Sequence, residues 1–243
     1  MTSAPLSHGE TEYATYLLID ELLALQRPLT PGAHDETLFI IIHQVFELWF
    51  KLLLHELAAA RDRLRGGDPA SATAPLVRCC RVDEVLVGQL SVLETMSPEG
   101  FLAFRDPLAP ASGFQSRQFR ALEAICGGSG DDALWPAFCV CATTLGLPMP
   151  SGGGEPDHRR RLESLVTLYH EHSEPRQAAL YRVAELLVDY DEAFARWRFR
   201  HSLMAAREIG ERPGTGGSAG VGYLRSTIDS RFFPELWEVR TQL

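Results

Sequence analysis

The apolar residues of this chain recur at three- and four-residue intervals, and no run alternates apolar with polar long enough to demand a strand. The expectation is an all-α fold. Residues 12–26 carry apolar side chains along one face and are stopped by Pro28 and Pro31. Asp35 stands where it could cap a long helix running to about Arg65, closed by Gly66 and Gly67. A third helix is expected over residues 73–96, with Pro75 in its first turn and Pro98 and Gly100 behind it. Shorter helices fit residues 115–125 and 133–145, and a long one fits 174–209, followed by a Gly-rich segment over 213–222. The Gly/Ser-rich connectors at 126–132 and 148–157 are too short for domain linkers, and there is no internal repeat. The chain therefore reads as a single helical domain over 1–243. Residues 1–30, joined through a Pro-rich turn, are placed to pack on another subunit.

Composition removes several function classes. A formal net charge of -9 argues against nucleic acid as a partner, because phosphate binding needs a basic surface. Residues 1–10 have neither a basic start nor an apolar stretch, so no secretory signal is expected. The most apolar run, 38–54, is interrupted by His43, Gln44, Glu47 and Lys51 and reads as a core helix rather than a membrane span. The five cysteines are odd in number and form no C-x-x-C pair, which points to free thiols in a reducing compartment. The expected location is cytoplasmic, with no membrane partner.

Four segments carry residues capable of chemistry. Phe39 and His43 lie four apart on one helical face, with Glu47 a turn further on. His43 reads either as a core histidine bonded to a buried acceptor or as a site residue. His55-Glu56 continues as Leu57-Ala58-Ala59, so the H-E-x-x-H zinc pattern is missing. In Trp197-Arg198-Phe199-Arg200-His201, an imidazole sits among large apolar and cationic groups, which suits a flat, anionic, iron-bearing cofactor; the alternative is an incidental surface histidine. His170-Glu171-His172 reads as solvated surface. The glycines from Gly214 to Gly220 follow a helix rather than a strand, so this is no dinucleotide loop. It is either a simple turn or a flexible loop with free N–H groups for a small zwitterion. Arg105, between Phe101 and Phe104 and expected just outside a helix, either grips a carboxylate with both arms of its guanidinium or pairs with Asp106 at the surface.

The strings Phe39-Ile40-Ile41-Ile42-His43-Gln44, Glu47-Leu48-Trp49, Phe104-Arg105-Asp106, Ser112-Gly113-Phe114-Gln115-Ser116, Trp197-Arg198-Phe199-Arg200-His201 and Gly214-Thr215-Gly216-Gly217-Ser218 closely resemble the tryptophan 2,3-dioxygenase family. So do Tyr13-Ala14-Thr15-Tyr16-Leu17 and Phe232-Phe233-Pro234-Glu235-Leu236. The likeness covers residues 10–126 and 180–243. It implies a heme-dependent oxygenase that inserts O₂ into the indole C2–C3 bond of L-tryptophan or a substituted tryptophan, using heme b in the ferrous state. By the same resemblance His201 is the axial iron ligand, and His43 stands beside the indole N–H. Phe39 and Phe101 are pocket walls, Arg105 binds the substrate carboxylate, Thr215 holds the amino-acid end, and Ser112 lies near the ammonium. Tyr13, Tyr16 and Leu17 would complete a neighbouring subunit's pocket within a homotetramer.

Two departures stand out. Residues 127–174 are shorter and less recognisable than the family usually shows, and Ser218-Ala219 replaces the two serines common there. They leave open a monooxygenase that makes a 2-oxindole from a substituted tryptophan in natural-product biosynthesis. A non-catalytic heme-binding protein is a further alternative, although it would have no need of Arg105 and Thr215.

Overall fold

Three long helices set the architecture of the computed structural model, which describes residues 12–217 and 219–243. They are α3 (Asp35–Arg65), α4 (Pro69–Leu93) and α9 (Pro175–Ile209). Each follows from an apolar stripe at helical spacing. Leu53, Leu57, Ala60 and Leu64 of α3, Leu76, Leu86 and Leu90 of α4, and Leu180, Val183, Ala184 and Leu187 of α9 are buried almost completely. Burying each leucine contributes roughly 1.5–3 kcal/mol. The helix α4 packs along both α3 and α9, whose backbones otherwise stand apart. Rings bridge the gap, with Phe46 and Trp197 at 6.1 Å between centroids. That separation makes room for a site.

Shorter helices close the frame: α5 (Pro98–Leu108), α6 (Arg117–Gly127), α7 (Leu134–Thr144), α8 (Glu155–His170), α10 (Val221–Ser226) and α11 (Pro234–Glu238). There is no strand among the described residues. By composition alone α3 is long and apolar enough to cross a membrane. In the fold it is a core helix, packed on α4, α6 and α7. Polar clamps fix the ends of the chain. Glu36 accepts from the N–H groups of Leu29 (2.7 Å) and Thr30 (2.8 Å), and Asp191 accepts from those of Phe232 and Phe233 and from the Trp237 indole. Arg161 meets Glu235 at 2.7 Å and ties α8 to α11.

Several sequence expectations need correction. The N-terminal helix is two pieces, α1 (Tyr13–Leu17) and α2 (Ile19–Leu23), because Leu18 adopts a left-handed φ of 51° between them. Asp35 is the first residue of α3 rather than its cap. The helix α4 starts four residues earlier than expected, since the Asp68 carboxylate accepts from Ser71 N–H and caps it; Pro75 is therefore internal. Phe101 and Arg105 lie within α5, which opens with the Ser97 cap and Pro98. Finally, α8 occupies residues left unassigned between the 148–157 connector and the 170–172 cluster, overlapping the end of the one and the start of the other. Its polar composition hides a buried stripe of Leu162, Leu165 and Leu168.

Candidate active site

One cavity of about 300 Å³ opens between α3, α5, α9 and the Gly-rich loop. The helix α3 contributes Phe39, His43 and Phe46 at intervals of four and three, so all three share a face. From α9 come Trp197, His201, Met204 and Glu208, again on one face. Phe101 and Arg105 lie one turn apart on α5. Ser112 and Thr215 enter from the two loops that meet at the cavity mouth. Seven of the ten residues singled out from sequence thus converge, from segments as much as 176 positions apart (Phe39 to Thr215). Tyr13, Tyr16 and Leu17 do not. They lie on α1 with exposures of 77%, 65% and 42%, and α1 buries no residue within this chain.

Each imidazole has a distinct setting. His201 stacks on Trp197 with ring centroids 5.1 Å apart and planes within 4°. Its ring nitrogens have no hydrogen-bond partner among the described residues. Burial, with His43 as a second and smaller influence, pushes its pKa down to about 4. The ring is neutral at ordinary pH and offers a lone pair to the cavity. His43 is open to the cavity at its tip, yet protein crowds the rest of it, and that desolvation lowers its pKa. Its Nδ1 lies 2.7 Å from the Phe39 carbonyl oxygen, to which only an N–H can donate. Nε2 of the neutral ring is then an acceptor. The Phe39 ring lies tilted against His43, centroids 4.0 Å apart, and continues into Phe101 and Phe104 at 5.9 and 5.4 Å, an aromatic wall.

The opposite end is polar and closed on itself. The Arg105 guanidinium donates to the Pro213 carbonyl at 2.6 Å, while its buried Nε has no partner among the described residues. Thr215 Oγ1 donates to the Ala111 carbonyl at 2.6 Å. A Cβ on Gly216 would come within 2.5 Å of Ser112 Cβ, so only glycine allows the loop to lie this close. Phe114 and Tyr223 meet edge to face at 4.8 Å beside it.

The donor set fits a heme. A neutral, desolvated imidazole without a hydrogen bond is a ligand in waiting. Rings and aliphatic chains surround it, and two guanidiniums, Arg120 and Arg198, line the same cavity. The Trp197 Nε1–H there is buried without an acceptor among the described residues. Sequence reasoning passed over Phe46, Phe119, Met204 and Glu208 as pocket residues. For Phe46, Met204 and Glu208 the signal was present, since they fall at helical spacing from His43 and His201; for Phe119 nothing local distinguished it from other helix residues.

Comparison with known proteins gives the same picture. A family model described as tryptophan 2,3-dioxygenase matches residues 2–133 and 158–243. The unmatched stretch lies within the region that departs most from the family pattern. The chain is 42% identical to a tryptophan 2,3-dioxygenase of Anaeromyxobacter dehalogenans over an alignment of 272 positions that covers all of both chains. It is 42% identical to that of Caulobacter vibrioides, covering 95% of this chain and 98% of the relative, and 39% identical to that of Myxococcus xanthus, covering 97% and 90%.

Proposed function

Because the chain belongs to the tryptophan 2,3-dioxygenase family, we propose that it is a heme-dependent oxidoreductase that inserts both atoms of O₂ across the indole C2–C3 bond of L-tryptophan or a substituted tryptophan, giving an N-formylkynurenine-type product. The observation that carries this reading is the convergence of Phe39, His43, Phe101, Arg105, Ser112, His201 and Thr215 on one cavity. His201 would hold the heme, which when bound supplies the ferrous iron that activates O₂. His43 orients the substrate: with Nδ1 committed to Phe39, its Nε2 accepts from the indole N–H. A base is not required there, because the indole N–H is a very weak acid. Phe39 and Phe101 flank the ring and keep water from it. Arg105 exchanges the Pro213 carbonyl for the substrate carboxylate, a stronger charge-assisted partner. Thr215 and Ser112 hold the ammonium end.

The assembly belongs to the same proposal. The chain would act as one heme-binding domain in a cytoplasmic homotetramer, with Tyr13, Tyr16 and Leu17 of one subunit closing the cavity of the next. Their exposure on α1 is what supports this.

Heme titration and product mass test the reading. The purified protein is expected to bind about one heme per chain, and His201→Ala to lose specific binding. Reaction under ¹⁸O₂ should add both labelled atoms. A single labelled atom would replace dioxygenation with monooxygenation, and full heme retention by His201→Ala would overturn the ligand assignment.

A further inference from the structure

The cavity contains a carboxyl group that the proposed reaction does not use. Glu208 lies seven residues after His201 on α9, two turns further along the same face, and lines the cavity. It is only 5% exposed. Neither of its oxygens has a hydrogen-bond or ion-pair partner among the described residues, and Oε2 is sealed from solvent. Two arginines of the same helix turn to Glu94 instead. Arg200 holds Glu94 with contacts of 2.8 and 2.9 Å, and Arg207, 65% exposed, leans toward the same Glu94 at 3.9 Å. A desolvated carboxyl left this way costs free energy unless a ligand completes it.

The surroundings define the missing partner. Burial first, then the negative neighbours Asp35 and Glu94, raise the proton affinity of Glu208 against the opposing pull of Arg207. Its carboxyl oxygens can accept from a donor that enters the cavity. Its complement is a hydroxyl, or an amino group that donates. The substrate's own ammonium fits poorly, because it travels with the carboxylate. The carboxylate anchor, Arg105, lies near the C-terminal end of α5 and reaches the Pro213 carbonyl. Glu208 instead senses Asp35, whose carboxylate occupies the space beside Gly100 in the first turn of α5.

We propose that Glu208 is a specificity residue that receives a hydroxyl or amino group on the benzene ring of the indole, so that the site prefers a ring-hydroxylated or ring-aminated tryptophan to tryptophan itself. This rests on the proposed oxygenase reading and narrows its substrate class. The unsubstituted ring presents only C–H groups to the carboxyl, whereas a site built around a buried hydrogen-bonding group discriminates against the analogue lacking its partner.

Anaerobic calorimetry on the heme-loaded protein tests this without turnover. The ligands are tryptophan and its 4-, 5-, 6- and 7-hydroxy derivatives, against wild type, Glu208→Leu and Glu208→Gln. At least one hydroxytryptophan should bind wild type about tenfold tighter than tryptophan. Glu208→Leu should abolish that margin and tighten tryptophan binding, while Glu208→Gln, which keeps a polar partner of the same shape, should retain part of it. An unchanged ranking in a folded Glu208→Leu protein would overturn the assignment, as would wild type binding tryptophan more tightly than every hydroxy derivative. An equal loss of all five ligands in Glu208→Leu would overturn it too, by placing the carboxyl at the ammonium. If wild type bound none of them, the oxygenase reading itself would fail, a result distinct from these.

Discussion

His201 and Arg105 face one cavity from differently built walls. The His201 side is carried by long helices whose far faces are the protein's core: Trp197 and Phe194 continue from it down α9 to the fully buried Tyr190. Packing within the chain holds the shape of that wall. On the Arg105 side, by contrast, two side-chain hydrogen bonds among the described residues tie the Gly-rich loop to its neighbours through backbone carbonyls, Arg105 to Pro213 and Thr215 to Ala111. Both donors are groups that a zwitterion would claim. The rigid side is thus suited to keeping a cofactor, and the latched side to opening and closing on a substrate.

Substitutions on the latched side should therefore change substrate handling and leave the cofactor alone. The largest effect is expected for Arg105→Leu. Truncating one partner of a charge-assisted pair in a partly desolvated site costs roughly 2–5 kcal/mol. That corresponds to a fall in kcat/KM for tryptophan on the order of 10²-fold or more. The heme spectrum should not move, and activity on tryptamine, which lacks the carboxylate, should change little. A similar loss on both substrates would make Arg105 structural and erase the contrast between the two walls.

The helical wall was also the part most legible in the sequence. The periodic stripes of α3 and α9 placed both helices within a residue of their observed ends, and the face shared by Phe39 and His43 followed from spacing alone. Other boundaries were decided by single capping side chains. Asp68 and Ser97 start α4 and α5, and an Asp or Ser before a proline reads as readily as a loop. The helix α8 escaped notice because charged residues outnumber its apolar stripe. The loop was visible only as glycine content. That it lies against Ser112 is a tertiary fact, set by a close approach between residues about a hundred positions apart.

That close approach gives a milder test. In Gly216→Ala the new methyl would meet Ser112 Cβ at 2.5 Å and Oγ at 2.9 Å, so the loop must move outward. Thr215 would move with it. The expected result is a rise of about tenfold in KM for tryptophan, with heme content and thermal stability close to wild type. Unchanged KM would show that the latched geometry has no part in substrate capture. Loss of heme would show that the two walls are not separable.

The smallest effect belongs to a region that contributes no residue to the cavity lining and serves as the control. His158 on α8 stands between two carboxylates of the C-terminal segment, with Nδ1 3.3 Å from Glu235 and Nε2 3.0 Å from Glu238. The hydrogen bond to Glu238 raises its pKa, desolvation opposes this, and Glu235 adds a further upward pull. The sign follows from linkage: a histidine whose folded pKa is raised binds its proton more tightly folded than unfolded. Its contribution to stability is fully present below the unfolded value near 6.5 and is lost as pH rises through the higher folded value. His158→Gln keeps a polar side chain but carries no charge at any pH. It should therefore lower Tm by about 1–2 °C at pH 5.5, for a partly exposed pair in a chain of this size. The difference should shrink toward zero by about pH 9. Heme content and KM should stay as in wild type, because α8 and α11 reach the cavity only through the buried body of α9. Melting curves for both proteins across that range would decide it. A gap that widened with pH would reverse the sign and dismiss the carboxylate pairing, and a shift in KM would mean that the C-terminal clamp helps to position the helical wall.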